Sequence, residues 1–227
     1  NKSYEATVVL GAATVTDDVE GEVISRADVS AITDAQIEAQ MAKMRGTIMQ
    51  RPSSVSAVKV DGERAYDRVR AGESVELAAR EVTISQLDIK DVRRIENAIE
   101  VDIEVTCSAG TFIRAIARDC GDALAVGGHL NSLRRTRVAG FGLDKSISLT
   151  ALKAGEFSTL GLVDVARTTF SARELALDEV NELSFGRPLS ANPDEAIYAA
   201  ISGQDLIALL CNKDGLAKPI AVFAAAN

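Results

Sequence analysis

The sequence lacks most of the residues and motifs on which metal and cofactor chemistry commonly depends. Among its 227 residues there is one histidine, His129, and no tryptophan. A single imidazole excludes a multi-histidine metal site and disfavours a Ser-His-Asp triad. Neither a G-x-G-x-x-G pattern nor a phosphate-binding P-loop occurs. Asp17, Asp18 and Glu20 lack calcium-loop spacing and are predicted to form a solvated acidic loop, so we expect no cofactor and no metal.

Long apolar runs and paired cysteines are also missing. No stretch approaches the length of a membrane-spanning helix. The cysteines at positions 107, 120 and 211 are far apart and form no C-x-x-C pair, which is typical of reduced thiols in the cytosol. A hydrophobic content of 47% and a charged content of 26% are those of a globular protein. We therefore expect a cytoplasmic protein without a membrane partner.

Positive charge is concentrated in one part of an otherwise acidic chain. The formal net charge is −8, which by itself argues against a nucleic-acid partner. Between residues 110 and 140, however, five arginines stand against two aspartates, the arginines being Arg114, Arg118, Arg134, Arg135 and Arg137. These arginines could bind a polyanionic partner. The simpler interpretation is that they lie on a solvated face and bind nothing.

Residue periodicity predicts a strand-rich first part with a few helices. Alternation of polar and apolar residues predicts strands over residues 4–11, 81–92 and 95–107, the last two joined at Arg93-Arg94. Helical spacing predicts helices over residues 34–45, with Thr33 or Asp34 as the cap, over residues 64–70 and 148–154, and from Thr111 onward. Residues 133–143 are predicted to hold an arginine-rich turn followed by a strand.

The last sixty or so residues are predicted to form a small second domain. Residues 171–174 read S-A-R-E, a capping-box pattern that predicts a helix to about Ser184. Short strands are predicted near residues 196–202, 206–211 and 219–223, and Lys213-Asp214-Gly215 is typical of a hairpin turn. We therefore predict domains over residues 1–166 and 167–227.

The stretch CSAGTFIRAIARDCG contains an arginine in an unusual place. If Thr111 caps the helix, Arg114 lies in its first turn, where the helix dipole favours acidic side chains. Arg118 has an aspartate four residues later, but no acid stands three or four residues from Arg114. The role of Arg114 is therefore open at this point, and a salt bridge to some local acid, such as Glu104 across the sheet, is the simpler interpretation.

Four motifs stand in a fixed order along the chain. They are KSYEATVVLG at residues 2–11 with a T-x-T-x-D-x-x-G pattern at 14–21, RPSSVSAVKVDGERAY at 51–66, CSAGTFIRAIARDCG at 107–121 and GGHLNSLRRTRV at 127–138. In this order and spacing they resemble the bacterial tRNA pseudouridine synthase B (TruB) family. The resemblance covers about residues 2–149, and the tail is similar to the small PUA-type RNA-binding domain of such enzymes.

The resemblance implies a fold and a reaction. The fold class is α+β, the pseudouridine synthase fold: a mixed, largely antiparallel sheet flanked by helices, N-terminally incomplete here, with a small β-rich PUA-like domain. The implied activity is the isomerisation of the T-loop uridine (U55) of tRNA to pseudouridine, without a cofactor. The implied partner is the T-arm stem-loop of tRNA. We expect the complete protein to be a monomer that requires no protein partner.

The resemblance also implies two catalytic residues. Tyr4 matches the tyrosine that stacks on the flipped base and that is a candidate for moving the C5 proton. Arg114 matches the arginine of the G-T-[YF]-I-R motif, which pairs with the catalytic aspartate. Phe112 stands where the family mostly has tyrosine, so a hydroxyl is lost and the ring is kept.

Substrate-binding roles are implied on several segments. Leu133 matches an apolar residue of the pocket floor, and Asp18 matches an aspartate near the substrate. Lys59 and the charged segment that follows it to about Arg80 match a thumb-like insertion that closes on the RNA loop. The arginine-rich turn is expected to contact phosphates through Arg134, Arg135 and Arg137, with a solvated turn as the alternative.

The nucleophile of the family has no counterpart in this sequence. It is an aspartate in a G-x-L-D-x-x-A-x-G segment, and no residues here match that pattern. We expect that segment to precede Asn1, its aspartate to pair with Arg114, and the chain to be inactive alone. A non-catalytic tRNA-binding or tRNA-folding module and an unrelated α+β interaction domain are the alternatives from other classes.

Overall fold

The computed structural model describes residues 1–53, 59–60, 63–64, 77–192 and 197–224. The chain divides into two compact units, residues 1–138 and 139–227. The boundary predicted between residues 166 and 167 falls inside the second unit. The helix predicted over residues 64–70 and most of the predicted thumb-like insertion lie outside the described residues.

The first unit is built from antiparallel strands and helices. Its strands are β1 (Lys2–Leu10), β2 (Ala12–Thr14), β3 (Val23–Arg26), β4 (Gly46–Gln50), β5 (Lys59–Val60), β6 (Glu63–Arg64), β7 (Arg80–Ile95), β8 (Ala98–Cys107) and β9 (Gly128–Val138). Its helices are α1 (Asp34–Lys43) and α2 (Ile113–Ala123). The main sheet contains the order β9-β1-β8-β7-β4, and these neighbours pair antiparallel. The predicted antiparallel character of the sheet is confirmed.

Alternation in β8 explains why one face of the sheet is buried. Val101, Ile103 and Val105 are at most 1% exposed, whereas the residues between them are only partly buried. Ile116 and Cys120 of α2 belong to the same core cluster, so the helix covers this face. Burial of a large apolar side chain contributes about 1.5–3 kcal/mol. The sheet therefore fixes where α2 and its polar residues lie.

The turn between β7 and β8 lies later in the chain than predicted. It is formed by Glu96 and Asn97, and Asn97 has a φ of 61°, a left-handed conformation that asparagine tolerates. The prediction of a turn at Arg93-Arg94 was wrong because β7 continues through both residues. Arg93 is accommodated there because its guanidinium pairs with Asp102 on the neighbouring strand.

Helix α1 is capped as predicted, but α2 is not. The Thr33 hydroxyl accepts a hydrogen bond from the Gln36 N–H in a capping box, which confirms the start of α1. Helix α2 has Phe112 as its N-cap residue. The prediction of Thr111 as the cap was wrong because its hydroxyl donates to the Ser108 carbonyl at 3.1 Å and closes the preceding turn instead.

The second unit contains short helices and a small sheet. Its helices are α3 (Leu149–Ala154), α4 (Leu162–Thr169) and α5 (Leu177–Ser184), with a 3₁₀ turn at Leu143–Lys145. Its strands are β10 (Phe141–Gly142), β11 (Ser171–Glu174), β12 (Leu189–Ser190), β13 (Tyr198–Ser202), β14 (Asp205–Lys213) and β15 (Leu216–Val222). The strand order of the sheet is β11-β13-β14-β15-β12. Nowhere in the described parts of the chain is a helix both long and apolar enough to cross a bilayer.

Pairing between distant segments decides the start of this second sheet. The capping-box prediction for residues 171–174 was wrong, because these residues form β11 and pair in parallel with β13. The helix starts later, at Leu177, where the Glu179 carboxylate accepts the Ala176 N–H at 3.0 Å. The predicted hairpin turn is confirmed at Asp214-Gly215, with φ values of 56° and 75°, as a type I′ turn requires.

Candidate active site at the start of helix α2

Arg114 has a carboxylate partner from the loop that follows β2. It is the second residue of α2, and its Nη2 atom forms an ion pair with Oδ2 of Asp18. The Asp18 side chain is 13% exposed and that of Arg114 is 38% exposed, so solvent and salt screen this pair less than one on an open surface. Glu104, the acid given as an example of a local partner, pairs with Lys90 at 2.7 Å, and the acid of this chain that pairs with Arg114 is Asp18.

The carboxylate of Asp18 is oriented by its own loop. Its Oδ1 atom accepts hydrogen bonds from the Thr16 hydroxyl at 2.8 Å and from the Glu20 N–H at 3.1 Å. The Thr14 hydroxyl donates to the Asp18 backbone carbonyl at 2.8 Å. Because one carboxylate oxygen is held by the loop and the other pairs with Arg114, Asp18 fixes the direction of the guanidinium.

The start of α2 is held from the side by Gln50. The Gln50 Oε1 atom accepts the Phe112 N–H at 2.8 Å, and its Nε2 donates to the Phe112 carbonyl at 3.0 Å. Gln50 is 1% exposed, and both of its amide functions are thus satisfied. The first turn of α2 has no acidic residue, so Asp18 supplies from outside the negative charge that the helix dipole favours.

A second arginine–aspartate pair lies one helical turn further along α2. Arg118 Nη1 lies 3.3 Å from Asp17 Oδ2, and Arg118 Nη2 lies 2.7 Å from Asp119 Oδ1. Burial raises the pKa of Asp17, and Arg118 acts in the opposite direction. Residues four apart share a helix face, so Arg114 and Arg118 meet the adjacent Asp18 and Asp17. We call this arrangement the arginine–aspartate ladder.

A cavity of about 180 Å³ opens beside the first rung of the ladder. The structure brings three predicted site residues to its lining, Asp18, Arg114 and Leu133, together with neighbours from the acidic loop and β9. Leu133 is 47% exposed, so it forms an open apolar wall. In such a space, the cation and the carboxylate can bond to the polar edge of a planar ring. The apolar side chain can pack against the face of the same ring.

Tyr4 is not among the described residues that line this cavity. It stands in β1 opposite Val105 of β8 and Arg135 of β9. Burial raises the pKa of the Tyr4 phenol, while the Arg135 charge and a hydrogen bond with the Arg135 side chain act in the opposite direction. The phenol is therefore protonated near neutral pH, and its position is tied to β9.

The arginines predicted in a turn stand in strand β9 and are exposed. The turn prediction was wrong because this segment pairs with β1, with two irregularities in register. Arg137 Nε donates to the Ser3 hydroxyl at 3.2 Å. Arg134 lies opposite Glu5 and lines a different cavity of about 520 Å³. Alternation along a strand thus directs Arg134 and Arg135 to opposite faces of the sheet.

Two further sequence candidates lie apart from this geometry. Lys59 belongs to β5 and pairs with Arg64 of β6, but its side chain lies outside the described residues. His129 is 8% exposed, and its Nδ1 atom forms a hydrogen bond with the Ala12 carbonyl at 2.9 Å, as a structural histidine does. The sequence analysis missed Gln50, since its contact with a residue 62 positions away leaves no local pattern.

Comparison with protein families assigns nearly the whole chain. Residues 1–113 match the TruB family pseudouridylate synthase (N terminal domain). Residues 114–159 match the tRNA pseudouridylate synthase B C-terminal domain. Residues 170–224 match the tRNA Pseudouridine synthase II, C terminal family.

Similar solved structures have the same fold at low sequence identity. A Cbf5-Nop10-Gar1 complex matches with a TM-score of 0.63 and 17% identity, over 99% of this chain and 67% of that chain. An H/ACA RNP bound to a substrate RNA containing 2'-deoxyuridine matches with a TM-score of 0.64 and 18% identity, over 98% and 65%. These matches, with the mixed α+β architecture and the β-rich second sheet, confirm the predicted fold class.

Curated relatives are much closer in sequence. The tRNA pseudouridine synthase B of Mycobacteroides abscessus is 50% identical over 228 residues, covering 100% of this chain and 76% of the relative. That of Arthrobacter sp. (strain FB24) is 48% identical over 239 residues, covering 100% of this chain and 78% of the relative. With Arg114, Asp18 and Leu133 around one cavity and this identity along the whole sequence, the chain belongs to the TruB family of pseudouridylate synthases.

Proposed function

We propose that the protein containing this chain isomerises the T-loop uridine (U55) of tRNA to pseudouridine. The observation that carries the proposal is the Arg114–Asp18 pair in the wall of a small cavity, in a chain of this family. The names of the curated relatives, tRNA pseudouridine synthase B, support tRNA as the substrate. The basic residues of β9 support an anionic partner despite the net charge of −8.

The proposed reaction is an isomerisation without net oxidation or reduction. The bond between C1′ of the ribose and N1 of uracil breaks, the base turns, and a bond forms between C1′ and C5. The C5 proton leaves and N1 gains a proton, so no cofactor is needed. A base stacked in an RNA loop must first be flipped out, and the cavity beside Arg114 is the proposed destination.

We assign Arg114 the role of holding a carboxylate nucleophile in its ionised form. An adjacent guanidinium lowers the pKa of a carboxyl group, and a guanidinium presents N–H donors in several directions. We assign Asp18 to orientation rather than attack, because its Oδ1 accepts two loop hydrogen bonds and its Oδ2 pairs with Arg114. The nucleophile is proposed to be an aspartate outside these 227 residues, so that the chain alone is inactive.

We assign Tyr4 a stacking surface for the flipped base. Base–aromatic stacking contributes about 1–3 kcal/mol per base. Because burial raises the pKa of Tyr4, its phenol can accept the C5 proton near neutral pH only while giving up its own. Tyr4 is therefore a proton relay at most and not a free tyrosinate base.

RNA binding is proposed to use both parts of the chain. Arg134, Arg135 and Arg137 would contact phosphates from β9, and Lys59 would contact the RNA from the predicted insertion. Residues 167–227 are proposed as a PUA-like RNA-binding domain, supported by the match of residues 170–224 to a C-terminal family of these synthases. We propose the T-arm stem-loop of tRNA as the partner and a monomeric, cytoplasmic protein.

A non-catalytic tRNA-binding or tRNA-folding module is the second candidate. One observation favours it: no G-x-L-D-x-x-A-x-G pattern occurs in the sequence. A chain with the arginines of β9 but without a nucleophile would bind RNA and leave its uridines unchanged.

Tritium release from tRNA labelled at uridine C5 separates the two candidates. The complete reading frame that contains this chain is assayed beside the 227-residue chain, with T-arm RNA binding measured for both. Release by the complete protein and none by the chain is the expected result. If both proteins bind the RNA and neither releases tritium, the non-catalytic binding module is favoured. If the 227-residue chain by itself releases tritium, the proposed position of the nucleophile is contradicted.

A further inference from the structure

We propose that Arg118 is a positioning residue of this enzyme, which fixes the Arg114–Asp18 pair through the second rung of the arginine–aspartate ladder. The inference rests on the proposed function and deepens it, because it assigns a role to a residue that does not line the cavity beside Arg114. Arg118 would act through Asp17 and through the backbone after β4, and not by contact with the RNA.

The Arg118 guanidinium joins three separate segments. Its Nη1 pairs with Asp17 of the acidic loop at 3.3 Å, and its Nε and Nη2 both bond Asp119 Oδ1 on α2 itself, at 2.9 and 2.7 Å. Its Nη2 also donates to the Arg51 backbone carbonyl at 2.7 Å. The Arg118 and Asp17 side chains are 21% and 12% exposed, so their pair is largely shielded from water, whereas the contact with the Arg51 carbonyl is exposed.

Asp17 links Arg118 to the first rung. Its φ is 58°, a left-handed conformation that aspartate tolerates better than most residues and that contacts with its surroundings stabilise here. It is held by the side-chain pair with Arg118, by the backbone N–H, which donates to the Thr14 carbonyl at 3.3 Å, and by the backbone carbonyl, which accepts the Leu130 N–H at 3.0 Å. Because Asp18 is the next residue, the backbone direction at Asp17 determines where the Asp18 carboxylate points.

The segment after β4 is held by the same elements. Gln50 bonds the backbone of Phe112 at the start of α2, and Arg118 bonds the carbonyl of Arg51 one turn later. The Ser53 hydroxyl donates to the Thr16 carbonyl at 3.4 Å. The acidic loop, the start of α2 and residues 50–53 therefore form one connected unit around Arg118.

The planar fork of arginine is what this arrangement requires. A guanidinium can donate to two carboxylates and a carbonyl at fixed angles, whereas the lysine ammonium is a compact point charge on a flexible stem. Arg118→Lys thus retains the positive charge next to Asp17 but loses the directional link between the three segments. A displacement of about 1 Å at reacting groups can lower a rate by about 10²-fold. A small shift of Asp18, and with it of Arg114, is therefore sufficient to slow the reaction measurably.

The test is a double-mutant cycle in the complete protein. Arg118→Lys, Asp18→Asn and the double variant are compared in single-turnover reactions with saturating T-arm RNA. Each single variant is expected to lower the rate by about 10- to 100-fold, with RNA affinity changed less than about threefold. The double variant is expected to be no more than about threefold slower than the slower single variant, because both changes disrupt the same element.

Arg93→Lys is the matched control, since Arg93 bonds Asp102 and Glu100 away from the ladder. Its rate is expected to stay within about twofold of wild type. If Arg118→Lys folds poorly, Asp17→Asn replaces it and is expected to show the same non-additivity with Asp18→Asn. Additive losses, or a rate per folded molecule equal to that of the control, would overturn the inference while leaving the proposed function intact. An inactive wild-type protein would instead overturn the proposed function and, with it, this role for Arg118.

Discussion

Helix α2 and strand β9 both carry arginines, yet the two sets have different surroundings. Arg114 and Arg118 of α2 pair with adjacent aspartates of one loop, and their side chains are 38% and 21% exposed. Arg134, Arg135 and Arg137 of β9 are exposed, and alternation along the strand divides them between two faces. A single basic cluster in the sequence thus becomes one set of arginines that pairs with loop aspartates and another set that lies exposed along a strand, and we propose that only the second set contacts RNA phosphates.

Backbone geometry is the reason for the difference. A helix repeats the same face after four residues, so two of its arginines reach one loop. A strand reverses the side-chain direction at every residue, so neighbouring arginines cannot share one carboxylate partner in the same way. We therefore expect substitutions in α2 to change the rate of reaction and substitutions in β9 to change RNA affinity.

The largest expected effect is that of Arg114→Ala in the complete protein. Turnover should fall by about 10²- to 10³-fold, because one preorganised charged group at the reacting centre is lost, while the Kd for T-arm RNA should change less than about threefold. Single-turnover rates and equilibrium binding measure the two quantities separately. Arg94→Ala, which removes an exposed pair with Asp34, is the control, and equal losses of rate and affinity would contradict the role of Arg114.

Tyr4 lies in β1, and its phenol bonds Arg135 of β9. Tyr4→Ala should weaken binding of the flipped uridine by about 1–3 kcal/mol, which is about 5- to 150-fold, because the stacking surface is removed. Tyr4→Phe should keep most of that affinity. Binding of T-arm RNA with a fluorescent base at the target position measures it, and equal weakening in both variants would mean that the ring does not stack.

Arg134→Ala should act on affinity alone, whereas Arg135→Ala should act on affinity and also on the rate, because it removes the hydrogen bond with Tyr4. Each is expected to weaken T-arm RNA binding by up to about tenfold at low salt and to flatten the slope of log Kd against log salt by about one unit, because one phosphate contact is lost. Binding isotherms at several salt concentrations check this. A variant whose slope equals that of wild type would place that arginine away from the phosphates and would weaken the contrast between α2 and β9.

The smallest effect concerns the buried face of α2. Burial raises the pKa of the Cys120 thiol to about 12, whereas an unfolded thiol ionises near about 8.5. Between these values the unfolded state has lost a proton that the folded state retains, so stability should fall as pH rises above about 8.5. Cys120→Ala should flatten this part of the pH profile of urea unfolding, and equal slopes in wild type and Cys120→Ala would contradict the assignment.

Local patterns were reliable where one element satisfies its own requirements. The strand at β1, the cap of α1 at Thr33, which was one of the two predicted capping residues, and the hairpin turn at Asp214-Gly215 are confirmed, because alternation, a capping hydroxyl and a left-handed glycine each act within a few residues. The prediction of a capping box at residues 171–174 was wrong, since pairing with β13 outweighs a local preference. The arginine-rich turn was wrong for the same reason, because β1 offers a strand partner.

The roles of individual arginines could be predicted only in part. The order of the four motifs and the lack of an acid near Arg114 on its helix were sufficient to identify the family and to indicate a partner from elsewhere. That the partner is Asp18, and that Arg118 and Gln50 hold the same region, depended on contacts between residues far apart in the chain. The sequence by itself determines side-chain periodicity and the order of the motifs. A loop carboxylate can pair with a helix arginine only after the sheet and α2 have packed together, so tertiary structure alone decided that pairing.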